Sequence, residues 1–192
     1  MVHHLRPRRH ARRDEAARRL WQHPESILDG IGLAPGDIFI DVGCGDGFFA
    51  LPAARKVGPH GRVCGIDIDA EALDLLQEKA LGEGLENVVL HRGMAEEVIL
   101  CEGCADVVFF GIDLHDFVDP VRALGNAKRM AAPTGVIVDV DWKKETLPLG
   151  PPPEKKFSPE YAAALMAEAG LEVKTVAESG PYHYIITAVP GR

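Results

Sequence analysis

Asp41-Val42-Gly43-Cys44-Gly45-Asp46-Gly47 joins an apolar, β-rich run that begins at Ile38 to a helical pattern over residues 48–56. Glycines at such a junction let the backbone approach a ligand closely, and the N-terminus of the following helix favours negative charge such as a carboxylate or phosphate. In an open α/β sheet the turn after the first strand lies at the C-terminal ends of the strands, beside the switch point where ligands bind. The stretch therefore predicts both a fold class and the place of a site.

The same rhythm continues outward. Val63 to Ile66 reads as a second strand, after which Asp69 caps a helix carrying Leu73, Leu76 and Ala80 and ending near Gly82. Residues 88–91 and 105–110 give strands three and four. Asp119-Pro120 is a cap followed by proline at the first helical position. Pro133-Thr134-Gly135 stops that helix, and residues 136–140 form strand five. Ser158-Pro159 repeats the cap before a helix expected to bury Tyr161, Ala162, Leu165 and Met166, ended by Gly170. Strands over 171–176 and 182–189 are joined too tightly for a parallel crossover, so the last must run antiparallel. The expectation is a Rossmann-like α/β, doubly wound sheet of seven strands, order 3-2-1-4-5-7-6. The proline-rich segment 143–156 is a long loop of the kind that often serves function.

Composition narrows the classes. The chain has 192 residues, 46% apolar and 26% charged, enough for one α/β domain and too few for two. A net charge of -8 argues against a surface that clings throughout to nucleic acid or anionic lipid. No apolar run reaches the roughly 18–20 residues of a membrane span, and no secretory leader is evident, so a cytoplasmic setting is expected. Cys44, Cys64, Cys101 and Cys104 are too few for a disulfide scaffold. The Cys101-Cys104 pair reads as packed or exposed thiols, because a zinc site needs two further ligands; no metal is expected. The first 20 residues stand apart, with seven arginines against Asp14 and Glu15, a charge of +5. A solvated extension is the plainer reading, and an arm for an anionic partner the sharper one.

Asp67 stands twenty residues beyond Gly47, at the end of strand two, where a carboxylate can accept both hydroxyls of a ribose. A dinucleotide and S-adenosylmethionine both fit strand, glycines, helix and acid. The dinucleotide fingerprint is G-x-G-x-x-G, however, and here the spacing is Gly43-x-Gly45-x-Gly47. Asp41 at the strand end would suit an ammonium or sulfonium and repel a pyrophosphate.

These residues resemble the first motif and ribose acid of the class I S-adenosylmethionine-dependent methyltransferases. The likeness runs from about Pro24 to the C-terminus, and the antiparallel seventh strand fits it. Residues 113–120 and the Gly-Pro-Pro after strand five look closest to the small ubiquinone/menaquinone-biosynthesis-like, type 11 branch. The resemblance implies a basic extension or helical lid over 1–30, with Trp21 as a cover, and one methyltransferase domain over 31–192. It implies that Asp41, Gly43, Cys44, Gly45 and Gly47 hold the methionine portion of the cofactor, which leaves as S-adenosylhomocysteine. Asp67 would bind the ribose, Ile68 would pack on the adenine, and Gly93, Met94 and Ala95 would meet its edge. At Met94 the chain departs from the family, which often has an aspartate there. Gly111, after strand four, faces the same cleft.

Methyl transfer from a sulfonium is an in-line displacement, so the protein must align a nucleophile and in some cases remove its proton. His115 is the first candidate base, with Asp113 to orient it or to touch the cofactor, and His183 is the second. A small-molecule acceptor is expected, and a homodimer is left open. An RNA methyltransferase using the basic arm is one rival, although strand four lacks the Asn/Asp-Pro-Pro-aromatic pattern. A cofactor-binding module without catalysis is the other.

Overall fold

Five parallel strands followed by an antiparallel hairpin make one seven-stranded sheet in the computed structural model, which describes residues 15–191. The strands are β1 (Ile38–Val42), β2 (Arg62–Asp67), β3 (Val88–Arg92), β4 (Ala105–Gly111), β5 (Ala131–Trp142), β6 (Leu171–Ser179) and β7 (His183–Pro190). Their order is β3-β2-β1-β4-β5-β7-β6, as the alternating pattern predicts. β5 pairs with β7, and β7 with β6, antiparallel. The helices are α1 (Glu15–Arg19), α2 (Pro24–Gly30), α3 (Ala50–Val57), α4 (Ala70–Gly82), α5 (Pro120–Met130) and α6 (Pro159–Glu168).

Strand residues alternate between two cores because successive side chains point to opposite faces. Phe39, Val63, Val107 and Phe109 pack with α2, α3 and α4 on one face. Ile40, Ile66, Val108, Phe110 and Ile137 pack with α5 and α6 on the other. The caps read from sequence are made: Asp69 accepts from the Glu71 and Ala72 amides, Asp119 from Arg122, and Ser158 from Tyr161. Each satisfies amides that a helix start would otherwise leave orphaned.

Three expectations need correction. Tyr161 is half exposed, its ring lying edge-on to Phe157 with centroids 5.0 Å apart, while Ala162, Leu165 and Met166 alone fill the buried stripe. Strand five begins at Ala131 rather than after Gly135, because α5 ends at Met130 and Ala131 already pairs with Ala105. Cys101 and Cys104 are joined by a disulfide, not held as thiols.

Candidate active site

The glycine loop is held by its neighbours before any ligand is considered. The Gly43 and Cys44 amides both donate to the Ile66 carbonyl, at 2.8 and 3.1 Å, tying the loop to the end of β2. Gly43 has φ +74°, and a Cβ there would lie 1.7 Å from an Asp113 carboxylate oxygen. Only glycine combines that backbone with that approach. Gly45 donates its amide to Asp67 at 2.7 Å, and the other Asp67 oxygen accepts from Asp69 at 2.9 Å. Gly47 lies against Leu76 of α4, and Cys44 against Gly65 of β2.

Beyond Asp67 stands Ile68, an exposed apolar side chain at 53%. The Gly93 amide donates to the Asp67 carbonyl at 2.9 Å, placing the turn Gly93-Met94-Ala95 beside it. Asn126 of α5 pins that turn by donating to the Ala95 carbonyl at 2.9 Å. The predicted ribose acid, adenine platform and adenine edge therefore share one side of the cleft.

Asp41 is buried, and its Oδ2 has no hydrogen-bond partner. Burial, reinforced by the charge of Asp67, pushes its carboxyl up to about 8, while Arg18 and the Ala50 amide act in the opposite sense. The Asp113 carboxylate is buried with both oxygens unpartnered, and that burial together with Asp41 and Asp141 raises it well above the usual range. Before it comes Ile112 at φ +71°, the one non-glycine residue with a left-handed backbone among the described residues. For a β-branched side chain that conformation costs about 1–3 kcal/mol and is held by the Ile112 amide donating to the Val140 carbonyl at 2.8 Å. The kink carries Asp113 back over Gly43. Gly111, just before it, abuts the Phe49 ring.

His115 is oriented by a different residue from the one expected. Its Nδ1 lies 2.8 Å from Asp141 Oδ2, and its amide donates to the same oxygen at 3.4 Å. The remaining Asp141 oxygen accepts from the Trp142 amide at 2.7 Å. Asp113, expected either to orient His115 or to touch the cofactor, lies against Gly43 of the glycine loop rather than against His115. His183 is buried between two indoles, its ring centroid 4.4 Å from Trp142 and 5.4 Å from Trp21.

Two further residues at the cleft escaped the sequence reading. Arg18 of α1 lies over Phe48 at 3.7 Å from the ring centre, at the mouth of the glycine loop. It signals nothing in sequence beyond one arginine among seven. Lys156, from the proline-rich loop, is buried, donates to the Glu145 carbonyl at 3.0 Å, and has its pKa lowered by burial against the opposing pull of Glu145 and Asp141. Among the described residues no cluster of three or more His, Cys, Asp or Glu side chains is placed to hold a metal.

The cleft thus offers a glycine turn, a buried Asp41 carboxyl with one oxygen unpartnered, and the half-buried Asp67 carboxylate beside an exposed apolar platform. An orphaned acid in low dielectric gains most from a cation brought by a ligand. A sulfonium or ammonium joined to a ribose and a flat base fits that donor set; a pyrophosphate does not.

Comparison with known proteins agrees. Residues 33–181 match a family model described as a methyltransferase domain. The chain belongs to that family, and its fold and glycine loop are those of the class I, S-adenosylmethionine-dependent methyltransferases. A demethylmenaquinone methyltransferase from Staphylococcus aureus is 30% identical over 131 residues, 68% of this chain and 53% of that protein. The chain spans about half the length of the curated relatives it matches. A SAM-dependent methyltransferase structure from Aquifex aeolicus aligns with TM-score 0.85 at 32% identity, covering 90% of this chain and 92% of that one. An S-adenosylmethionine-dependent methyltransferase from Mesorhizobium loti, at 16% identity and TM-score 0.67 over 85% and 95% of the two chains, shares the fold.

Proposed function

We propose that this chain transfers a methyl group from S-adenosylmethionine to a small-molecule acceptor whose reacting atom gives up a proton. The observation that carries the reading is the orphaned carboxyl of Asp41 behind the Gly43–Gly47 turn, with Asp67 one strand away. When bound, the cofactor supplies an electrophilic methyl group on a sulfonium that leaves as a neutral thioether. Asp41 holds the cationic end, and the Gly43, Gly45 and Gly47 backbone lies against the methionine portion. Asp67 exchanges its Gly45 contact for the ribose hydroxyls, while Ile68 and the Gly93-Met94-Ala95 turn receive the adenine.

His115, held by Asp141, takes the proton from the acceptor as the new bond to the methyl carbon forms. A buried carboxylate on Nδ1 favours the tautomer in which Nε2, with the Asp116 carboxylate 3.8 Å away, is the proton acceptor, and the two acids stabilise the imidazolium that results. Trp21, stacked on His183 and tilted against Trp142 at the ends of β5 and β7, serves as the cover that excludes water, so residues 15–30 act as a lid on the domain over 31–192, while the rest of the extension expected over 1–30 lies outside the described residues. A small acceptor is favoured by that cover and by the likeness to a demethylmenaquinone methyltransferase. No described helix is long and apolar enough to cross a membrane.

Calorimetry or thermal shift should show binding of S-adenosylmethionine and S-adenosylhomocysteine and none of NAD; stabilisation by NAD alone would overturn the cofactor assignment. Asp67→Ala should weaken cofactor binding strongly, and unchanged affinity would remove the ribose role. Methyl-donor turnover across a panel of phenols, quinols, amines and thiols identifies the acceptor class.

A further inference from the structure

A cavity of about 160 Å³ opens on the sheet face that carries α5 and α6, lined by residues other than those of the site described above. Three of the four cysteines line it, Cys64 from β2 and Cys101 and Cys104 from the segment before β4, together with Arg62 and His91. None of these residues belongs to the glycine loop or to the His115–Asp141 pair. Cys101 and Cys104 are bonded to each other, whereas Cys64 is a half-buried free thiol. Burial raises the Cys64 thiol, and Arg62, two residues earlier on the same strand face, acts against that rise. With a water molecule taking about 30 Å³, the space admits the reacting end of a small dithiol.

We propose that this cavity is a thiol–disulfide exchange site, in which Cys64 is the internal attacking thiol and small dithiols are the external reductants. In the internal step the ionised Cys64 sulfur bonds to one sulfur of the bridge, and the bond between Cys101 and Cys104 breaks. The released thiolate takes up the proton that Cys64 gave, and no electrons enter or leave. In full opening, a dithiol delivers two electrons and two protons, leaving Cys101 and Cys104 as thiols and itself as a cyclic disulfide.

The backbone around the bridge favours reversibility. The Gly103 amide donates to the Arg129 carbonyl at 2.8 Å and the Cys104 amide to Met130 at 2.9 Å, while Glu102 pairs with Arg129. These contacts tie the segment to the end of α5 without using the sulfur atoms, so the two cysteines should stay neighbours after reduction. Cys44 offers a contrast, because it is buried in the glycine loop and burial with three nearby acids holds its thiol well up.

The full chain, purified without reductant, is equilibrated in graded mixtures of reduced and oxidised dithiothreitol under native conditions. It is then quenched with an alkylating agent and mapped by peptide mass spectrometry. The expected outcome is a closed Cys101–Cys104 bridge that opens reversibly, with a minor population in which Cys64 is paired to Cys101 or Cys104. Cys64→Ser should abolish that population and leave the original bridge closed. A bridge that opens only after denaturation, thiols at Cys101 and Cys104 before any reductant is added, or Cys64 in no pairing of the wild-type chain would each overturn the proposal. The wild-type map decides the matter even if Cys64→Ser fails to fold, and methyl transfer enters none of these readouts.

Discussion

Asp41 and Asp141 are both buried aspartates at the C-terminal ends of strands in one sheet, yet their oxygens are used in opposite ways. Asp41, on β1, keeps an oxygen without a partner and is pushed up to about 8. Asp141, on β5, spends its oxygens on His115 and on the Trp142 amide. The first carboxylate is left for a cation that arrives from outside, and the second is committed to steering an imidazole. Burial alone therefore does not assign a role to an acid in this cleft; the donors already present do.

The comparison breaks most completely at Gly43. Gly43→Ala would put a methyl group into the space of the Asp113 carboxylate, so cofactor binding should vanish in calorimetry, a loss of about a hundredfold or more. A bound, active variant would mean that the loop rearranges freely. Asp141→Asn comes next. It should lower kcat by about a hundredfold while leaving cofactor affinity nearly unchanged, since the base rather than the cofactor loses its partner. Loss of cofactor affinity instead would erase the division between the two aspartates.

Asp41→Asn should do the reverse, weakening S-adenosylmethionine by about tenfold, or 1.4 kcal/mol. Its effect is also tied to pH. An acid raised from its ordinary value of 3.8 to about 8 holds a proton in the folded state that the unfolded chain releases. The ligand-free protein should therefore lose stability as pH rises from about 4 to 8, measured as a falling Tm, and Asp41→Asn should flatten that slope. Because a bound cation favours the ionised form, affinity for S-adenosylmethionine relative to S-adenosylhomocysteine should grow through the same range. A ratio independent of pH would deny Asp41 the sulfonium. The smallest effect belongs to Ile68→Ala, a several-fold loss of cofactor affinity with no change in the Tm of the ligand-free chain, because the side chain is already exposed.

The cofactor half of the cleft was legible because its parts are local. A glycine turn, the acid before it and an acid at the end of the next strand lie within 27 residues, and parallel pairing of β1 with β2 brings them together by register alone. The acceptor half depends on which polar residue at the end of β4 meets which at the end of β5. The Ile112 kink and the Gly111–Val140 register decide that pairing, and neither has a periodic signature. Asp113 and Asp141 look equivalent in sequence; the kink sends the first to Gly43 and leaves the second to His115. Tyr161 misled for a simpler reason. A stripe over four helical positions is wider than the face α6 buries, and an aromatic at its margin can stack outward. The bridge between Cys101 and Cys104 reflects an oxidation state, which hydrophobic pattern does not encode.

Arg18 and Trp21 are three residues apart, yet they rest on different halves of the cleft, one over Phe48 beside the glycine loop and the other on Trp142 and His183. Under the lid role proposed for this segment, one short stretch covers the cofactor side and the acceptor side together. Donor and acceptor should then both be bound before the cover closes, so initial-rate lines at varied acceptor should intersect rather than run parallel.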